Sequence, residues 1–110
     1  RLLADEERAG LRNRLSAIRE TDTFAKICLL ESLIHLGDET PAAGLIRMFG
    51  RCNYRNQCAI LNSLSDVYPE ISRSSQGRIR RFCQELADRD MCAAVQEAYD
   101  RLIRISRYRL

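Results

Sequence analysis

The chain holds one histidine, His35, and five cysteines, Cys28, Cys52, Cys58, Cys83 and Cys92. A cysteine nucleophile needs its base within hydrogen-bond reach. Cys28 and His35 lie seven positions apart, which on one helix is two turns and about 10 Å of rise, too far for a dyad. His35 therefore reads as an ordinary residue near a helix end, and no catalytic residue is assigned. A zinc site asks for closely spaced ligand pairs. No two of the cysteines form a CxxC pair, and Cys52 and Cys58 have no second pair to complete a set, so no metal is expected. The acids Asp38, Glu39, Asp88 and Asp90 sit at corners and read as helix caps. No glycine-rich phosphate loop occurs, and no cofactor is expected.

Arginine is the residue type in excess. Lys26 is the only lysine among 18 basic residues. Arginine makes forked, planar hydrogen bonds and stacks on rings, which suits interfaces. Residues 41–110 carry twelve arginines against seven acids, whereas residues 1–40 carry six cations against eight acids, so the net charge of +3 belongs to the later part. Arg47, Arg51 and Arg55 bracket one corner. Arg78, Arg80 and Arg81 fall on one helix, and Arg101, Arg104 and Arg107 recur on the last, with Arg109 close by. The plainer reading is a solvated face with local pairs such as Glu97 with Arg101 at i,i+4. Tyr54, Tyr99 and Tyr108 offer rings for stacking on bases, but aromatics are 6% of the chain and tryptophan is absent.

Helices must position these groups. The 110 residues fit one domain, and a composition of 45% hydrophobic and 30% charged residues is that of a folded chain. Apolar residues recur at helical spacing, and no strand pattern is present. The first helix is expected over Leu2–Glu20, with Asp5, Glu6 and Glu7 in its early turns and Leu11, Leu15 and Ile18 as its stripe. Thr21, Asp22 and Thr23 offer capping chemistry for a second helix, Thr23–Leu36. Phe24, Ile27, Leu30 and Ile34 form one stripe there, Leu29, Leu33 and Leu36 another, and Gly37 stops it. Thr40 and Pro41 begin a short third helix ending at Phe49, closed by Gly50. Asn53 caps a fourth, Tyr54–Tyr68, which Pro69 ends. Ser74 or Ser75 caps a fifth, with Ile79, Phe82, Cys83 and Leu86 inward. Asp88 or Asp90 caps a sixth, with Cys92, Val95, Ala98, Tyr99 and Leu102 inward.

The helices repeat imperfectly. Ile27–Asp38 laid over Cys58–Pro69 matches Leu29 to Ile60, Leu30 to Leu61, Ser32 to Ser63, Leu33 to Leu64 and Leu36 to Val67, with Asp22 on Asn53. A third copy, Cys92–Leu102, places Val95 on Leu61 and Ala98 on Leu64. Spacings of thirty to thirty-five residues fall in the range of helical-pair repeats. The segment FAKICLLESLIHLGDETPAAGLIRMFG, Phe24–Gly50, resembles a HEAT-like repeat of the short bacterial kind through Leu36-Gly37-Asp38, Pro41 and Leu45-Ile46. The second unit departs from it, with Val67-Tyr68-Pro69 in place of Leu-Gly-Asp, and the third stops halfway.

The resemblance implies an all-α fold of five or six helices: antiparallel pairs stacked as a short right-handed α-solenoid, residues 1–20 as a first or capping helix, 21–52 and 53–88 as repeats, and 89–110 as a partial repeat or cap. Such pairs share one core with their neighbours and present a curved surface. The function expected is a non-catalytic protein–protein interaction scaffold. Its interface is expected at Arg47, Arg51, Tyr54, Arg55, Arg78, Arg81, Arg101 and Arg104, with Leu30, Leu33, Leu61, Leu64, Val95 and Ala98 as structural residues. Nucleic-acid binding through the same arginines is the alternative, and a lyase-type HEAT enzyme ranks last. The partner is expected to be another protein. No membrane-spanning run exists, and five unpaired cysteines suit a reduced, cytoplasmic setting. Because it begins with Arg1, the chain is read as an excerpt of a longer protein, one whose remaining part has room for a membrane anchor.

Overall fold

The computed structural model describes residues 2–17 and 22–107, and all regular structure among them is helical. Six α-helices follow in order: α1 (Leu2–Ala17), α2 (Thr23–His35), α3 (Pro41–Met48), α4 (Tyr54–Val67), α5 (Arg73–Leu86) and α6 (Ala93–Arg107). Short 3₁₀ turns, Phe49–Arg51 and Tyr68–Glu70, follow α3 and α4. Ile18 and Thr21 of the expected first stripe and cap, and Tyr108 and Arg109, lie outside the described residues.

α4 is the centre of the packing. It makes its broadest contact with α6 and the next with α2, while α3 packs on α5 as well as on α2 and α4. The molecule measures 41 × 34 × 16 Å, so its thin dimension accommodates two helices whose axes lie the usual 8–10 Å apart. Leu30, Leu61 and Val95, equivalent in the sequence repeat, belong to one buried cluster together with Leu64 and Ala98. Phe49 and Phe82 meet edge to face within it, ring centroids 5.2 Å apart.

The corners explain the boundaries. α2 ends in a Schellman motif: Gly37, at φ +99°, donates to the Ile34 carbonyl at 2.9 Å, and Asp38 donates to Leu33 at 3.0 Å. The next two corners repeat one another nineteen residues apart. Each opens with a buried aromatic residue, Phe49 or Tyr68, that starts the 3₁₀ turn. An extended residue follows, Cys52 or Ile71, and then an N-cap, Asn53 or Ser72. The cap accepts from the backbone N–H three residues on, that of Asn56 at 2.9 Å or Ser75 at 3.3 Å. A glutamine four residues past the cap then reaches back to the aromatic residue's carbonyl: Gln57 to Phe49 at 3.1 Å, Gln76 to Tyr68 at 2.8 Å. At the first corner the Phe49 carbonyl also accepts from the Cys52 N–H at 3.2 Å, so the glutamine adds a second donor that ties the new helix to the turn before it.

Several expectations are corrected here. Phe24 is 61% exposed and leaves the α2 stripe to Ile27, Leu30 and Ile34. Asp22 and Thr40 stand at N-cap positions but make no side-chain capping bond, and the Asp38 carboxylate accepts from the Thr40 N–H instead. Ser72, not Ser74 or Ser75, caps α5. α6 begins three residues beyond Asp90, with the Cys92 carbonyl accepting from Gln96, and the Cys92 side chain is exposed rather than inward.

The packing makes three substitutions informative. Leu64→Ala, at a fully buried position, should cost about 2–5 kcal/mol in urea denaturation. Gln76→Ala should cost about 1 kcal/mol, the worth of one hydrogen bond. Phe24→Ala should fall within about 0.5 kcal/mol of the parent.

Candidate functional site

A groove of about 510 Å³ lies between α2 and α3. Lys26, Leu30 and Leu33 line one wall, since positions four and seven residues apart share a helix face. The other wall is Pro41, Gly44, Arg47 and Met48, continued by Arg51 of the 3₁₀ turn. A smaller recess of about 260 Å³, lined by Thr23, Lys26, Met48, Arg51 and Cys52, extends the groove. The floor is apolar and the rim cationic.

One carboxylate enters this groove, and it is already engaged. Asp38 accepts from the Arg12 guanidinium of α1. Burial disfavours its ionisation, but the bonds from Arg12 and Thr40 outweigh burial and hold its pKa below the usual value. Lys26, Arg47 and Arg51 pair with no carboxylate among the described residues. The groove therefore keeps a positive rim after its internal pair is subtracted.

The expected interface residues divide among several places. Arg47 and Arg51 share this groove. Tyr54 and Arg55 open α4, with the Arg55 guanidinium 5.8 Å from the centre of the Tyr54 ring and its Nε donating to the phenol oxygen at 3.3 Å. Arg78 and Arg81 are exposed on α5. Arg101 and Arg104 border a separate recess of about 280 Å³ with Cys58, Asn62 and Glu97. There Arg101 bonds across to α4, to Asp66 at 2.8 Å and Asn62 at 3.3 Å, a link between helices where the spacing had suggested a pair with Glu97. Arg80 turns inward and donates to the Tyr68 hydroxyl at 2.6 Å. Tyr99, offered as a stacking ring, is buried, and its hydroxyl donates to the Cys83 carbonyl at 2.9 Å. Sequence reasoning missed Arg12, Lys26 and Gly44. The available signal was a cation, Lys26, in phase with the apolar stripe of α2.

The groups weighed for chemistry are engaged or dispersed. His35 faces two carboxylates, with Nε2 3.1 Å from Glu31 and Nδ1 2.9 Å from Glu70. The Glu31 hydrogen bond is the larger reason its pKa is raised, against some desolvation, with Glu70 adding to the rise. Burial drives the Cys83 thiol up to about 11. Cys52 and Cys58 are also raised by desolvation. Among the described residues no cluster of three or more His, Cys, Asp or Glu is arranged to hold a metal, and no helix is long and apolar enough to cross a membrane.

These features define an all-helical domain with a cationic, apolar-floored groove. Comparison with known protein families, with curated proteins and with solved structures finds no match in any of the three.

Two measurements probe this chemistry. A raised His35 pKa contributes stability that is fully present below the unfolded value near 6.5 and is lost as pH rises through the folded value. The melting-temperature gap between the parent and His35→Ala should therefore be widest near about pH 5.5 and should shrink by about pH 8. Maleimide labelling followed by mass mapping should modify the exposed Cys28 and Cys92 first, and Cys83 only on unfolding.

Proposed function

We propose that this chain is a HEAT-like helical-repeat domain, a short right-handed stack of antiparallel helix pairs that binds another protein by surface shape and arginine contacts. Support for the stack comes from α2, α4 and α6 packing in succession about a shared core, with α3 against α5. The recurring corner with its back-reaching glutamine adds to it. A repeat stack distributes its grooves between neighbouring helices and gives each its own rim.

The observation that carries the binding role is the pairing of cations with apolar surface. Arg47 and Arg51 border the leucine- and methionine-lined groove between α2 and α3. A phosphate backbone is gripped by charge alone, whereas protein interfaces combine an apolar centre with a polar rim in which arginine and tyrosine are frequent anchors.

Selection of a random-peptide display library on the immobilised domain tests this reading. Enriched peptides should bind the parent domain and lose affinity when Arg47→Glu and Arg51→Glu are combined. In parallel, fluorescence anisotropy with a labelled random duplex DNA should show weak binding at low salt. DNA affinity exceeding that of every selected peptide, with a steep loss as salt rises, would overturn the protein-binding reading in favour of nucleic acid.

A further inference from the structure

The groove between α2 and α3 also specifies the chemistry of its occupant, an inference that rests on the protein-binding reading above. Gly44 is the informative residue. It sits inside α3, where glycine is a poorer helix former than alanine. Its φ is not in the left-handed region, so backbone conformation does not demand glycine. Packing does not demand it either, because a Cβ built there meets nothing within 4 Å. Yet Gly44 lines the groove, and any side chain at that position would enter it. The helix thus carries a weak helix former at a position that lines the depression and has room for a side chain.

Around that opening, the half-buried Met48 supplies apolar surface over the buried Leu30 and Leu33, and Lys26, Arg47 and Arg51 supply charge that no described carboxylate neutralises. An apolar ligand would leave these cations without partners. A purely anionic one would leave the half-buried Met48 and the depression at Gly44 wet. We infer that the groove docks an acidic peptide segment of a partner protein, with one apolar side chain placed over Gly44 and flanking carboxylates on Lys26, Arg47 and Arg51.

The experiment titrates ¹⁵N-labelled domain with three synthetic peptides. One alternates glutamate and leucine, one is polyglutamate, and one replaces every glutamate of the first with glutamine. Inorganic phosphate is a fourth arm. Amide shifts should cluster at Lys26, Gly44, Met48 and Arg51 for the glutamate–leucine peptide. Polyglutamate should bind about tenfold more weakly, and the glutamine peptide and phosphate more weakly still. Arg47→Glu should weaken the first peptide by about tenfold or more. Gly44→Phe should block it while the helical circular dichroism is retained, and Gly44→Ala should raise the melting temperature and weaken binding less. If Gly44→Phe does not fold, Arg47→Glu and Gly44→Ala keep the test decisive. Equal affinity for phosphate and the first peptide would overturn the inferred occupant. Shifts confined to Cys58, Asn62 and Arg104 would overturn the location while leaving the protein-binding reading standing. Silence from these peptides and from every library-selected peptide would overturn both.

Discussion

The fold depends on the way α4 is enclosed. Its buried residues are Ile60, Leu61, Ser63, Leu64, Ser65 and Val67. At 100° per residue these six cover an arc of roughly 200°, about twice what a helix resting on a single surface needs. Two of them are serines, whose small size lets neighbouring helices approach closely. Ser65 satisfies its hydroxyl on the Leu61 carbonyl at 3.0 Å, so the polar atom enters the core with a partner. A helix buried over that arc has to be covered on more than one flank, and α2 and α6 are the helices that cover it. Two of its exposed residues, Asn62 and Asp66, form the edge that Arg101 of α6 grips from outside.

Given that enclosure, the corners set how the outer helices are registered. The two glutamine-tied corners fix where α4 and α5 begin relative to the turns before them. Glu39 performs a longer-range version of the same task. Its carboxylate accepts from the Ser72 and Ser75 hydroxyls, each at 2.7 Å, and from the Ser72 N–H, joining the corner before α3 to the first turn of α5. The hydroxyl bonds from Ser75 and Ser72 hold Glu39 below the usual carboxylate pKa, as expected for an anion at a helix N-terminus. His35 ties the end of α2 to Glu70 in the turn after α4. These links hold the α2–α3 corner against the turn after α4 and the start of α5, and the groove is the space left between the facing surfaces of α2 and α3.

Much of this was legible in the sequence because helical period and corner chemistry are local. The order and approximate limits of the helices follow from the spacing of apolar residues, from Gly37, Asn53 and Pro69, and from the repeat that equates Leu30, Leu61 and Val95. The cap of α5 has a simple cause. Serine, threonine and aspartate all cap well, so where several cluster, as in Ser72–Ser75, composition cannot choose among them and packing does. Phe24 fits the spacing of the stripe, but it lies in the first turn of α2 and is exposed there. The glutamine corner was visible as an aromatic residue, a cap four positions later and a glutamine four beyond that. An alignment at thirty-one residues, set by the apolar stripes, passed over a nineteen-residue echo. Pairing between distant helices, such as Arg101 with Asp66, leaves no mark in linear spacing.

Charge illustrates the same limit and explains why the groove escaped the sequence. Counting residues placed the positive character in the later part of the chain, yet two of the groove's four cations, Arg12 and Lys26, come from the acidic part. What an approaching ligand meets is the charge left after internal pairing, because a neutralised pair projects little field beyond a Debye length. Glu31 faces His35, Glu39 is held by two serines, and Asp38 is held by Arg12. Three acids of the supposedly negative segment are thereby engaged within the fold. Arg101, conversely, spends its charge on Asp66, although it belongs to the positive segment. Folding redistributes a nearly neutral composition into local surfaces of definite sign, and the cationic surface lies along the groove that Gly44 lines.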